Sequence, residues 1–414
     1  MYNGFHMTLS NFHIRTTTAF KSNLISLRAA LPLSEEKHPA RILLSYMLAE
    51  ACQAFPNKRA MQKEVDDLYG GDLSIGIEKI GLSENLRLEL CAPDRRFLSE
   101  DPLEEQFRFL NALYYHPLFT PQSFEECRTR LLMNRAMALD DPLSYAIDRA
   151  NRLFNDLPQR TSSPLEEAFQ KLTLQDVENS WKEFLSSARM DLTVIGPGDP
   201  QRIHSLAETY FHDTLSQLPL TICTRAETRM PKIRRNQKDT IQSALVQMYT
   251  TDCDMSDPDM PALMLTNGML GALPVSLLFQ EVREHHSLCY AISSDNHVYE
   301  GTLSIEATMA GEHIEPARKL IDRQIERLKT GDFSDEAFLS AKRLYTASWR
   351  GSLDSISAQA REEYVASLLK RPDFASETIA AFERVSRQDV MHAARKLKPA
   401  AEEILEGVSH DGAS

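Results

Sequence analysis

The densest run of metal-ligand side-chain types in this sequence is Glu281–Val282–Arg283–Glu284–His285–His286, where a helix would set Glu281 and His285 on one face, four positions apart. A carboxylate and an imidazole so placed could touch a divalent ion, but two ligands fall short of the set that zinc takes, and the run reads as a charged, solvated helix end. An unorthodox metalloenzyme built on this pair predicts stoichiometric zinc in the purified chain. Other short patterns of catalysis are missing: there is no Gly-rich phosphate loop, no GxSxG nucleophile elbow and no HExxH. The cysteines at 52, 91, 127, 223, 253 and 289 are scattered without CxxC spacing. That argues against a zinc knuckle and a disulfide framework, and Cys52, Cys91 and Cys289 stand in apolar surroundings as reduced core thiols.

The scaffold for any such site must be large. A chain of 414 residues suits two or more domains, and 42% hydrophobic with 25% charged residues is the composition of a folded protein. Asp and Glu number 59 against 46 Lys and Arg, a formal charge of −13. This disfavours nucleic acid as a partner and suits a basic peptide. The N-terminal stretch MYNGFHMTLSNFHIRTTTAF lacks an apolar run with basic flanks, and no later window holds about 18 apolar residues in a row, so the expectation is a cytoplasmic protein without a membrane anchor.

Along the chain, Leu24 to Ala29 alternate as a half-buried strand, and a helix follows with Ile42, Leu43, Leu44, Met47 and Leu48. Two antiparallel strands are expected around Leu73–Ile77 and Leu86–Leu90, then amphipathic helices over 101–115, 120–139 and 142–157, a helix from Leu174 and a closing strand in MDLTVIG. The same order recurs about 215 residues later. SENLRLELCA (83–92) matches EGTLSIEATM (300–309), FTPQSFEEC (119–127) matches FSDEAFLSA (333–341), and LTLQDVENSWKEFL (172–185) matches VSRQDVMHAARKLK (385–398). Three matches in one order predict two tandem homologous α+β halves, each a mostly antiparallel sheet packed with helices. The halves are 1–198 and 239–414; the basic, Pro-containing stretch within 199–238 reads as an exposed linker.

With those halves in place, SLLFQEVREHHSLCYAISS (276–294), LYGG (68–71) and FTPQSFEECRTRLLMNRAMALDDP (119–142) carry a resemblance to the pitrilysin/insulinase-type zinc peptidases, mitochondrial-processing-peptidase-like proteins included, over nearly the whole chain. It most resembles the degenerate subunit of bacterial two-subunit members. Active members bear an inverted HxxEH motif on the first helix, with two His on zinc and the Glu activating water. The resemblance places Ile42, Ser45 and Tyr46 at those positions, and Asn134 near that of the third ligand, a Glu. These cannot replace imidazole and carboxylate, and His38, outside the helix spacing, reads as the residue that begins the helix. No metal or other cofactor is therefore expected on this chain. The resemblance also implies that Arg283 and Tyr290, seven residues apart, reach a zinc site carried by another half or subunit. There a guanidinium would orient a peptide carbonyl, and a phenol would donate to the oxyanion. The expected function is a subunit inactive alone, lending a chamber wall and an Arg/Tyr clamp to an HxxEH partner that holds the zinc and processes peptides. The alternative is a non-catalytic scaffold or peptide-binding protein.

Overall fold

A computed structural model of the chain describes residues 11–154, 164–212, 218–227 and 230–408. The first ten residues, read above for a leader, and 155–157, the end of an expected helix, lie outside it. Among the described residues, ten strands form two five-stranded sheets. In the first, β1 (Phe12–Thr16), β2 (Ser22–Pro32), β3 (Asp72–Ile80), β4 (Ser83–Pro93) and β5 (Arg189–Gly196) lie in the order β1-β5-β2-β4-β3. In the second, β6 (Lys232–Lys238), β7 (Ser243–Thr250), β8 (Ala291–His297), β9 (Thr302–Met309) and β10 (Lys398–Gly407) take the order β6-β10-β7-β9-β8. The orders are identical once the duplication pairs β4 with β9, and in both sheets only the outermost pair, β1 with β5 and β6 with β10, is parallel. The predicted repeat is thus a repeat of topology. Its signature is also local: the helices Leu174–Ser187 and Arg387–Lys396 each open on a full capping box, Thr173 with Asp176 and Ser386 with Asp389, at matched positions.

The chain divides into two compact units whose segments interleave. The first holds Met1–Met133, Pro164–Ile222 and Leu353–Pro372; the second holds Asn134–Ser163, Cys223–Ser352 and Asp373–Ser414. Each half of the sequence therefore contributes one helix to the unit built mainly from the other. In the first unit, odd-numbered β2 residues Ile25, Leu27, Ala29 and Leu31 enter the main core with the His38–Leu48, Leu103–Tyr115 and Leu174–Ser187 helices. The even-numbered face meets the Ile356–Leu369 helix, where Leu24 and Ile195 pack on Ala360. β2 was expected to be half buried, but Leu24 to Leu31 are buried throughout, because a helix from roughly 300 residues later in sequence covers the face that carries Ser26 and Arg28. In the second unit the Pro142–Phe154 helix lies on β7 and β10, with Ala146 and Ala150 among Ala244, Val246, Met248, Ala401 and Leu405.

Part of the stretch read as exposed linker is a strand. Lys232–Lys238 pairs with β10, and its alternate residues Arg234 and Asn236 reach Glu403, at 2.6 Å for Arg234 Nε. Arg235 pairs with Glu315 at 2.7 Å and with Glu406. The basic side chains that suggested solvent have carboxylates waiting for them at a sheet edge.

Candidate functional site

The degenerate motif positions lie in the first unit on the His38–Leu48 helix, which His38 begins as expected. Ser45 is buried and donates its hydroxyl to the Ile42 carbonyl at 2.7 Å, so its one polar group is spent inside the helix. Ile42 is half buried against the main core. Tyr46 carries the Arg130 guanidinium over its ring at 5.5 Å, and Arg130 is held there by Glu50 at 2.6 Å. A fixed cation thus stands beside the motif positions, and the neighbouring carboxylate is already engaged. Asn134, which belongs to the second unit, is exposed on the Pro121–Asp140 helix. Among the described residues no three His, Cys, Asp or Glu side chains come together to hold a metal ion. A family zinc does not fit this residue set.

In the second unit, Phe279–His285 winds as a π-helix, a wide and rare helical turn that is frequent at functional sites. The turn ends where Ser287 takes a left-handed backbone, φ +52°, while Ser287 N–H donates to the Arg283 carbonyl and Leu288 N–H to that of Val282, both at 3.0 Å. Tyr290 N–H then joins Thr308 O at 2.8 Å, one residue ahead of β8. Val282 and Cys289 are buried and anchor the turn from beneath. Gly271, in a preceding π-helical turn, is required because a Cβ there would come within 2.5 Å of Ser294 Oγ on β8. The result is a tied loop that, besides Glu284, His285, His286 and Ser287, presents the two side chains of the expected clamp to solvent.

Those side chains are Arg283 and Tyr290. Arg283 lies 4.9 Å over the Phe279 ring and forms no ion pair among the described residues; Tyr290 is 57% exposed. The pair of Glu281 and His285 raised from the sequence is in ordinary use: Glu281 accepts from Arg327 at 3.2 Å and stands 3.7 Å from an exposed His285. Cys289 is not a nucleophile in waiting, since burial pushes its thiol up to about 11 against the opposing pull of Arg283. All six cysteines are free. Among the described residues no helix is long and apolar enough to cross a membrane.

Sequence reasoning did not find a third feature, a cluster of Arg28, Arg87 and Arg361 with Glu78 and Glu89 around a cavity of about 370 Å³ in the first unit. The signal was slight: Gly76, a glycine inside an alternating strand, which marks a place where something approaches closely or a side chain is left out.

Residues 171–345 match the Peptidase M16 inactive domain. The chain is 24% identical to the "Probable inactive metalloprotease YmfF" of Bacillus subtilis (strain 168), over 97% of this chain and 96% of that one. Its fold is that of a conserved protein from Enterococcus faecalis V583, with a TM-score of 0.90, 22% identity and 98% of both chains covered. It is also similar in fold to the ferredoxin protease FusC, solved as a mutant in complex with Arabidopsis ferredoxin: the TM-score is 0.73 at 13% identity, over 97% of this chain but 44% of FusC.

Proposed function

We propose that the chain, which matches the Peptidase M16 inactive domain over residues 171–345 and is 24% identical to a probable inactive metalloprotease, is the non-zinc subunit of a cytoplasmic, heteromeric metallopeptidase. A homologous partner brings HxxEH and the zinc. This chain supplies a wall of the peptide chamber and the Arg283/Tyr290 clamp. The observation that carries the reading is the contrast between the two loci: the motif positions are filled by apolar packing, an internal hydrogen bond and an Arg–Glu pair, while Arg283 and Tyr290 stand exposed on a tied π-helical turn. Side chains kept outward on a rigid element suit contact with something beyond the chain. The FusC likeness adds support, because a chain of about twice this length covers the same fold once in less than half of itself, leaving room for a second such unit.

The guanidinium would orient a substrate carbonyl, and the Tyr290 hydroxyl would donate to the oxyanion as it forms, an interaction stronger in the transition state than in the ground state. The test is reconstitution with an HxxEH homologue. Peptide cleavage is expected only from the mixture, with Tyr290→Phe lowering kcat about 100-fold and Arg283→Ala at least as much, while both variants still bind the partner. Unchanged turnover by bound, folded variants would leave the chain a scaffold.

A further inference from the structure

The wide turn that presents Arg283 is held on one side only by its own packing. A π-helical turn is rare, and an uncommon backbone persists where its surroundings over-determine it. Beneath the turn, Leu278 and Val282 are fully buried. Above it, Arg283, Glu284, His285, His286 and Ser287 are exposed. Among the described residues, Glu281 is the one side chain of Phe279–His285 with a hydrogen bond or ion pair to another element, and its partner is Arg327.

Arg327 lies near the end of the Ile314–Thr330 helix and is itself fixed there. Its Nη1 donates to Gln324 Oε1 at 2.9 Å and to Glu281 Oε1 at 3.2 Å. Its Nε donates to the Asp332 carbonyl at 3.2 Å, with the Asp332 carboxylate at 3.3 Å. Gly331, left-handed at φ +81°, ends the helix and folds Asp332 back within that reach. Gln324 is 1% exposed, and its Nε2 donates to Leu320 O at 3.2 Å, which leaves its Oε1 facing Arg327. A half-buried guanidinium held in this way by its own helix end meets Glu281 with little side-chain freedom left to lose. The pair can therefore restrain the turn, where a loose surface ion pair would not.

Register decides which side chain feels the restraint. Glu281 precedes Arg283 by two residues within the turn, whereas Tyr290 is fixed beyond it by its own N–H on Thr308 O. We propose that Arg327 is a positioning residue: through Glu281 it fixes the winding of Phe279–His285, and so the direction in which the Arg283 guanidinium leaves the turn. The inference rests on the clamp reading above and names the residue on which one half of that clamp depends.

The test has two arms. In the first, hydrogen exchange of the purified chain is compared with that of Arg327→Met and of the milder Glu281→Gln. Both variants are expected to lose about ten-fold in protection over 279–288, with the amides of β7 and β9 unchanged. In the second, the variants are reconstituted with the HxxEH homologue. Arg327→Met is expected to lower kcat about ten-fold. It should add nothing once Arg283→Ala is present, and its effect should multiply with that of Tyr290→Phe. Unchanged protection over 279–288, a loss spread through β7 and β9, or an effect on turnover that multiplies with Arg283→Ala overturns the proposal. The first arm needs neither partner nor turnover, and Arg283→Ala alone tests the clamp, so a failed clamp and an idle Arg327 are told apart.

Discussion

Two helices in this molecule do the same architectural job with opposite chemistry. Pro142–Phe154 in the second unit and Ile356–Leu369 in the first each lie on the face of a sheet away from the larger set of helices, and each comes from the half of the sequence that builds mainly the other unit. Counted along the duplication, Ala150 corresponds to Tyr364, Met248 to Arg28 and Ala401 to Asp191. In the second unit this row is apolar, with all three residues in one buried cluster. In the first it is polar: Arg28 lies under the Tyr364 ring at 4.9 Å, Tyr364 donates to Asn85, and Arg189 ties Asp191 at 2.8 Å and Ser367 at 2.7 Å to the end of the helix. A duplicated fold preserves where a layer goes, while the forces that hold it are free to diverge. Apolar packing has no titrating group, whereas a buried ionic cage is specific and brittle to single substitutions.

The comparison breaks most readily at Arg28. Arg28→Met copies the residue that stands in the second unit but leaves Glu78 and Glu89 without their shared cation, and urea unfolding should show a loss of about 3–5 kcal/mol. A near-neutral result would mean that the cage contributes nothing beyond shape. The apolar layer should fail by crowding instead: Ala150→Leu, at a fully buried position of the cluster, is expected to destabilise by about 1–3 kcal/mol in the same assay. A gentler probe is acid. Burial works to raise the Glu78 carboxyl, but Arg28 and Arg361 outweigh it and hold it below the usual carboxylate range. Its folded value lies under its unfolded one, so its stabilising contribution is complete above the usual range and is lost as the pH falls through the folded value. Hydrogen-exchange protection, taken relative to the intrinsic rate at each pH, should therefore fall in 356–369 on acidification before it falls in 142–154; equal response of the two helices would erase the distinction.

Much of the architecture could be read from the residues. Strands announced themselves by alternation at Leu73–Ile77 and Leu86–Leu90, and the repeat was visible because capping and sheet residues such as Thr173/Ser386 and Leu86/Leu303 keep their types across the halves. The destination of each covering helix was not legible, since the pattern of a helix says which face is apolar and nothing about which sheet it will meet. That is why Leu24 to Ala29 read as a half-buried strand, although Arg28 within it is buried. At β6 the misreading had the same origin: Arg234 and Arg235 look solvated until Glu403, Glu406 and Glu315, far along the chain, are brought opposite them. Arg283 and Tyr290 were assigned by resemblance alone, and the π-helical winding that presents them has no periodicity to give it away.

The interleaving of segments also bears on how the protein is made. The first unit cannot be completed when its own half leaves the ribosome, because Leu353–Pro372 is translated roughly 150 residues after Ile222; at about 5–20 residues per second the wait is on the order of ten seconds. Through that interval Arg28, Glu78 and Glu89 have no helix above them, and the nascent sheet keeps an open, charged face. Charge there is a safeguard that the apolar layer of the second unit would not provide, since an uncovered row of Met and Ala invites aggregation. The second unit needs no such protection: its covering helix has been synthesised before its sheet begins.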